Sequence, residues 1–296
     1  LKLHGLTEFI SQYPSSETRR AYKRDITHFF LTKRKRPERV TRIDVIGYLN
    51  HLKEQGHSSA TINRMFSSVR SYMRFLLFED IIIKNPFEGI RLPKIQHTEK
   101  DSITDEEIIK IFSKLRGKDD RTKRDIVIIT LMMYNGLRRS EVCGINFGDI
   151  KKVSIGGDEY RVLEIRGKGD KTRVRPLHPE CWNAIIDYLN CCKRTKGKKE
   201  EPVLMGNNGS RISVSTIYNT IKRLEKKAKI KRKLNPHMFR AKFASLALQS
   251  GNPITSVQAD MGHASIETTA IYDHAKRNIE RSSVLKIPKI KRKKKK

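Results

Sequence analysis

The segment Leu234-Asn-Pro-His237-Met-Phe-Arg240, followed by Met261-Gly-His263 and Ile271-Tyr272, gathers four chemically loaded side chains into a short span near the end of the chain. His237 and Arg240 stand three apart, so a helix places them on one face. Asn235 and Pro236 predict where that helix starts, because Pro is tolerated in a first turn. Gly262 predicts a break before His263, and Ser265-Ile-Glu-Thr-Thr a further helix ahead of Tyr272. Two His, one Arg and one Tyr converging on one point suit chemistry on an anion, with Tyr as a candidate nucleophile.

The charge balance says which anion to expect. The 296 residues hold 63 Lys and Arg against 32 Asp and Glu, a net charge of +31. Such a chain repels itself unless an anionic partner is present. Nucleic acid fits, because neutralising phosphates releases counterions and rewards many cations. A lysine-rich thermophile surface would raise Glu together with Lys, whereas acids here are half as numerous as bases. The length suffices for two domains with separate cores. Mean hydropathy is −0.60 and apolar residues make up 37%, which describes a soluble, polar protein. The longest apolar run, Ile126 to Tyr134, is half of what a membrane span needs, and no signal peptide is apparent. Cys143, Cys181, Cys191 and Cys192 form no C-x-x-C pair and no zinc pattern. They read as buried free thiols in a reducing cytoplasm.

Residues 1 to about 97 read as helical, with an extended linker at the end. Ser15 or Ser16 caps a helix running to Leu31, and Lys33-Arg-Lys-Arg36-Pro37 ends it. Thr41 with Asp44 forms a capping box for a second helix, whose apolar face is Ile43, Val45, Ile46, Leu49 and Leu52. Ser58 or Ser59 opens a third, with the core stripe Ile62, Phe66, Val69, Met73 and Leu76. Arg64, Arg70 and Arg74 lie off that stripe; given the net charge they are expected to contact DNA phosphates, the plain alternative being a solvated face. The Pro- and Gly-marked stretch Asn85-Pro-Phe-Glu-Gly-Ile-Arg-Leu-Pro93 reads as the extended linker, with a domain boundary near residue 97.

Beyond the boundary, Thr104 and Glu107 predict a capping box before the helix Ile108 to Leu115, and Asp125 to Tyr134 a central buried helix. Tyr160 to Arg166 and Thr172 to Leu177 alternate as strands around a Gly-Lys168-Gly turn, and with Lys151 to Ser154 they predict a three-stranded antiparallel sheet. Helices follow at Pro179 to Leu189 and Val214 to Ala228. Lys222 to Lys233 holds eight basic residues, and Lys222 and Arg223 are expected on DNA. The fold class is mainly α with a small antiparallel β-sheet.

Two further pieces complete the chemistry. Arg138 follows a Gly turn, and Glu141 three residues on can hold it in place; the plain alternative is a surface helix pair. Lys168 sits between two glycines, which let a hairpin tip approach a ligand; the plain alternative is a solvated turn. A phosphate-binding Walker loop is excluded, because Gly169 follows Lys168.

With these pieces in place, the sequence resembles the tyrosine recombinase (phage integrase) family, closest to its Xer-like members. Asn135-Gly-Leu-Arg-Arg-Ser-Glu-Val142 is similar to the family's first-arginine motif, and Arg166-Gly-Lys-Gly-Asp-Lys-Thr-Arg-Val-Arg-Pro-Leu177 to its lysine hairpin. Pro236-His-Met-Phe-Arg240, Met261-Gly-His263 and Thr268-Thr-Ala-Ile-Tyr272 are similar to its remaining three boxes, in the family's order. The resemblance implies a SAM-like core-binding clamp over residues 1–97, a catalytic domain over 98–288 and a basic tail over 289–296. It implies Arg138, Lys168, His237, Arg240, His263 and Tyr272 as the catalytic set, with Glu141 supporting. Ala241 stands where the family often has His, and Met261 where Leu is usual; neither change removes a catalytic group.

The implied activity is cutting and rejoining double-stranded DNA through a 3′-phosphotyrosyl intermediate, for integration, excision or dimer resolution. Arg forks suit the multi-oxygen phosphate better than Lys does. One His can take the Tyr272 proton and Lys168 can protonate the leaving 5′-oxygen. No carboxylate cluster accompanies the motifs, so no metal and no cofactor is expected. The family implies a homotetramer on DNA with exchange of a C-terminal segment, Ile279 to Pro288 being the candidate, and a possible accessory recombinase or DNA-binding factor. No membrane partner is expected, and the expected place is the cytoplasm, on the nucleoid. With no arm-binding domain ahead of residue 1, a simple Xer-like role or a compact mobile-element integrase is expected. A type IB topoisomerase is a related reading. A non-catalytic architectural DNA-binding protein explains the charge equally well, but not Lys168, His263 and Tyr272 together.

Overall fold

The computed structural model describes residues 3–95, 102–155, 158–166 and 172–261. The chain divides into two compact units, Leu1–His97 and Thr98–Lys296.

The first unit is built from four helices, α1 (Leu6–Ser11), α2 (Ser16–Lys33), α3 (Arg42–Glu54) and α4 (Ser59–Phe78). Hydroxyl caps start the last three. Ser15 accepts from the Thr18 amide, Ser58 from the Thr61 amide, and Thr41 and Asp44 form a reciprocal box. The α4 stripe Ile62, Phe66, Val69, Met73 and Leu76 is buried as expected.

Two expectations need correction. Ile43 and Ile46 are 80% and 43% exposed, and the buried face of α3 is Val45, Tyr48, Leu49 and Leu52. At 100° per residue Ile43 falls opposite that line. Tyr48 replaces it because its hydroxyl lies 2.8 Å from His28 Nδ1, so the ring is buried with its polar tip satisfied. The stretch from Asn85 is likewise no extended linker at its start. Residues 86–89 turn, and Phe87 is fully buried against Phe29 and Phe66 at ring distances of 5.2 and 5.5 Å. Asn85 locks the turn, donating to the Arg70 carbonyl and accepting from the Phe87 amide. Pro and Gly punctuate turns as readily as linkers, and here a large ring within reach of a core decides.

The second unit begins with α5 (Asp105–Ser113), capped by Thr104 and Glu107, and α6 (Asp120–Tyr134), capped by Asp119. Val127 to Met133 of α6 are buried, and α6 packs against α8 (Pro179–Cys191) and α10 (Pro236–Gln249). Between them lie α7 (Arg139–Gly144) and the antiparallel sheet β1 (Ile150–Ile155), β2 (Asp158–Arg166) and β3 (Thr172–Pro176), in that order. Ile150 pairs with Leu163, and Arg166 with Thr172. α9 (Val214–Lys227) and α11 (Ile254–Met261) follow, and short 3-10 turns lie at Pro37–Arg39 and Phe147–Asp149. Cys143 and Cys181 are buried thiols, as expected, whereas Cys191 and Cys192 are only half-buried.

Candidate active site

Glu141 is the hinge of the polar cluster. It sits in the first turn of α7, and its carboxylate is buried, with a side-chain exposure of 4%. Oε2 accepts from the Arg138 amide at 2.8 Å and Oε1 from Arg138 Nη1 at 2.8 Å. Arg173 Nη2 on β3 donates to Oε2 at 3.0 Å, and Arg240 Nη1 stands 3.8 Å from the same oxygen. Burial by itself would raise this carboxyl. The Arg138 amide, the Arg138 guanidinium and the charge of Arg173 outweigh it and hold the group below its usual range. The Arg138–Glu141 pair is therefore more than a surface helix contact: three guanidinium groups surround one buried carboxylate and leave a surplus of positive charge for an anion.

Arg240 reaches this cluster from the start of the second turn of α10. Its side chain is 5% exposed, with Nη1 donating to the Gly136 carbonyl and Nη2 to the Met261 carbonyl. The fork thus fastens the turn before Arg138 to the end of α11. Gly136 has φ +61°, and a Cβ there would lie 2.5 Å from the Phe243 ring. Only glycine fits both the left-handed backbone and the close approach. His237, three residues before Arg240, is exposed in the first turn of α10, whose cap Asn235 accepts the His237 amide at 3.0 Å. Lys168, His263 and Tyr272 lie outside the described residues, as does the segment 279–288.

Sequence reasoning missed two arginines. In Thr172-Arg-Val-Arg-Pro, Arg173 and Arg175 face inward while Val174 is 59% exposed, an inverted strand pattern. Arg175 is buried and donates to the carbonyls of Asn135 and Asp260 at 2.8 and 2.5 Å, with the Asp260 carboxylate 3.2 Å from Nε. Period-2 alternation with basic residues on the core side was the available signal. Lys242 was also passed over; it is buried and paired with Asp105 at 2.6 Å.

The residues expected on DNA sort differently. Arg74 is exposed and Arg70 half-buried on α4. Arg64 is ion-paired to the buried Asp25, and Arg223 to the buried Asp125. Lys222 pairs with Glu225 at 2.9 Å within α9. Among the described residues, no group of three His, Cys, Asp or Glu side chains is placed to hold a metal, and no helix is long and apolar enough to cross a membrane.

Comparison with known proteins agrees with this layout. The phage integrase family profile matches residues 101–278, and that of the phage integrase N-terminal SAM-like domain matches residues 8–80. Tyrosine recombinase XerC of Listeria welshimeri is 33% identical over 282 residues, covering 92% of this chain and 91% of that protein. Tyrosine recombinase XerC of Thermodesulfovibrio yellowstonii is 31% identical over 265 residues, covering 88% and 86%. In fold, the crystal structure of the XerH site-specific recombinase bound to a palindromic difH substrate is similar at a TM-score of 0.72, with 19% identity over 95% of this chain and 87% of that one. The chain belongs to the phage integrase family and is by that membership a tyrosine recombinase, an enzyme that cuts and rejoins DNA.

Proposed function

We propose that this chain recombines two double-stranded DNA sites with Tyr272 as nucleophile. The phenol oxygen of Tyr272 attacks the scissile phosphorus and the bond to the 5′-oxygen breaks. The leaving oxygen takes a proton from Lys168, and the phosphate remains as a 3′-phosphotyrosine. Attack by a 5′-hydroxyl of the partner strand reverses the step, so no external energy source is needed. Arg138 and Arg240 hold the non-bridging oxygens, with His237 and His263 donating to the same phosphate or taking the Tyr272 proton.

The observation that carries this reading is the buried Glu141 carboxylate, which fixes Arg138 and faces Arg240 from a separate helix. Two forks preset around one point stabilise a charge-gathering phosphate without reorganising during the reaction. The proposed assembly is a homotetramer on DNA that exchanges residues 279–288 between neighbours, with an accessory recombinase or DNA-binding factor where two unlike sites are joined. Its place is the cytoplasm, on the nucleoid. A non-catalytic architectural role is not favoured, given the family.

The test uses duplexes recovered by selection from a random library, nicked near the cleavage point so that religation is trapped. Wild type and Tyr272→Phe are run on a denaturing gel with a chelator present. We expect a covalent adduct from wild type alone. Equal adduct from Tyr272→Phe, or none from either on DNA that binds, overturns the assignment.

A further inference from the structure

Two helices, one in each unit, carry the same device. On α4, Arg64 donates from Nη1 to Oδ2 of Asp25, and the Ser68 hydroxyl, one turn on, donates to the same oxygen at 3.0 Å. On α9, Arg223 donates from Nη2 to Oδ2 of Asp125, and the Thr220 hydroxyl, one turn before, donates to Oδ1 at 3.2 Å. Both aspartate side chains are 1% exposed, while Arg64 and Arg223 are 44% and 23% exposed. In each case a carboxylate rooted in the core holds a guanidinium at the surface by one of its amino groups; Asp25 also takes the neighbouring Arg24 on its other oxygen at 3.3 Å, a longer contact from a side chain that is 67% exposed.

Neutralising a buried acid does not explain this arrangement by itself. An apolar pair of similar volume is often as stable as a buried ion pair. Both arginine side chains stay partly exposed above their buried aspartates, so each pair keeps an ordered cation at the helix surface. Around them the helices offer cations of another kind: Arg74 on α4, and Lys226 and Lys227 on α9, are exposed. Phosphate binding rewards charge wherever it comes near and tolerates mobile side chains. Reading a base needs a fork at a fixed place and angle, with its ordering cost met before binding.

We infer that Arg64 and Arg223 are base-reading residues, each preset by its buried aspartate to meet the O6 and N7 acceptors of a guanine in the major groove, while the unanchored cations meet phosphates. This rests on the reading that the substrate is duplex DNA. It divides the basic surface into a small specifying part and a larger electrostatic part.

Binding-site selection from a random duplex library, with full-length wild type, Arg64→Lys and Arg223→Lys, tests the inference. Lysine keeps a cation beside each aspartate but removes the fork. Each variant should lose preference at its own one or two adjacent base pairs by about tenfold or more. The slope of log affinity against log salt should stay unchanged. Uniform weakening over all sequences, with the slope reduced by about one, makes the arginine a phosphate contact and overturns the inference. Unchanged preference and slope make the pair purely structural and overturn it too. Methylation interference on wild type needs no variant: N7-methylguanine at the selected positions should block binding, and no interfering guanine overturns the inference. A wild type without base preference also overturns it, while the recombinase reading stands or falls separately on the Tyr272 adduct.

Discussion

The two units are held together by different means. The first packs rings: Phe29, Tyr48, Phe66 and Phe87 form a contiguous cluster with centroid separations of 4.9 to 5.8 Å. The second has a largely aliphatic core and buries charge beside it, with Glu141, Arg175, Arg240 and Lys242 all under 9% exposed. Ring packing is short-ranged and indifferent to protonation, and among the described residues of the first unit Asp25 is the one buried carboxylate, so this unit can serve as a stiff frame. Buried charges couple remote segments through specific partners, so the second unit ties its stability to the state of its polar cluster. The family's chemistry resides in the unit that accepts this cost.

The sharpest way to break this contrast is Glu141→Ala. Removing one partner from a buried ionic cluster costs about 3–5 kcal/mol and leaves the guanidinium groups to repel one another. We predict loss of covalent adduct by about a hundredfold or more, with faster amide exchange in the second unit only. Equal loss of protection in both units would contradict it. Next in size is Phe66→Ala, which opens a cavity in the ring cluster at about 3–5 kcal/mol. Exchange should quicken within residues 3–95 and leave α6 and α10 protected; spread into those helices would blur the distinction between the units.

The smallest effect is set by pH. Arg232, hydrogen-bonded to Glu107, depresses that carboxyl, and the Arg138 and Arg173 interactions that outweigh burial depress Glu141. A depressed carboxyl contributes stability that is complete above its unfolded value of about 4.3 and is lost as pH falls through the folded value. In the first unit Asp44, despite the opposing effect of burial, is brought down to about 2 by Lys35 and Thr41. Acidification from pH 6 to 3.5 should therefore erode amide protection around α7 and β3 before it reaches α3. The reverse order, followed by exchange mass spectrometry, would show that ring packing is not the more acid-tolerant design.

What could be read from the sequence followed the range of the interaction. Caps at Ser15, Thr41, Ser58 and Thr104 are settled within three residues, and the α4 stripe within five turns, so pattern alone finds them. The Arg138–Glu141 pair is equally local. Phe87 was misplaced because its partners come from α2 and α4, which no local pattern around a Pro-Phe-Glu-Gly turn reports. Arg175 was missed because its acceptors lie 40 and 85 residues away. The anchoring of Arg64 and Arg223 was hidden for the same reason, since their aspartates sit on other helices 39 and 98 positions distant.

Those two anchored arginines also constrain how the protein can change over generations. A substitution at Arg223 that removes the cation strands Asp125 as an uncompensated buried charge, so a single replacement there passes through a destabilised ancestor, whereas Asp25 keeps Arg24 at 3.3 Å when Arg64 is lost. At position 223 a neutral residue is accessible only alongside, or after, a change at Asp125, which makes that pair the more strongly epistatic of the two. Drift of a binding preference through α9 is thereby slowed to paired events. Retargeting by design meets the same barrier and should vary residues 25 with 64, and 125 with 223, as units.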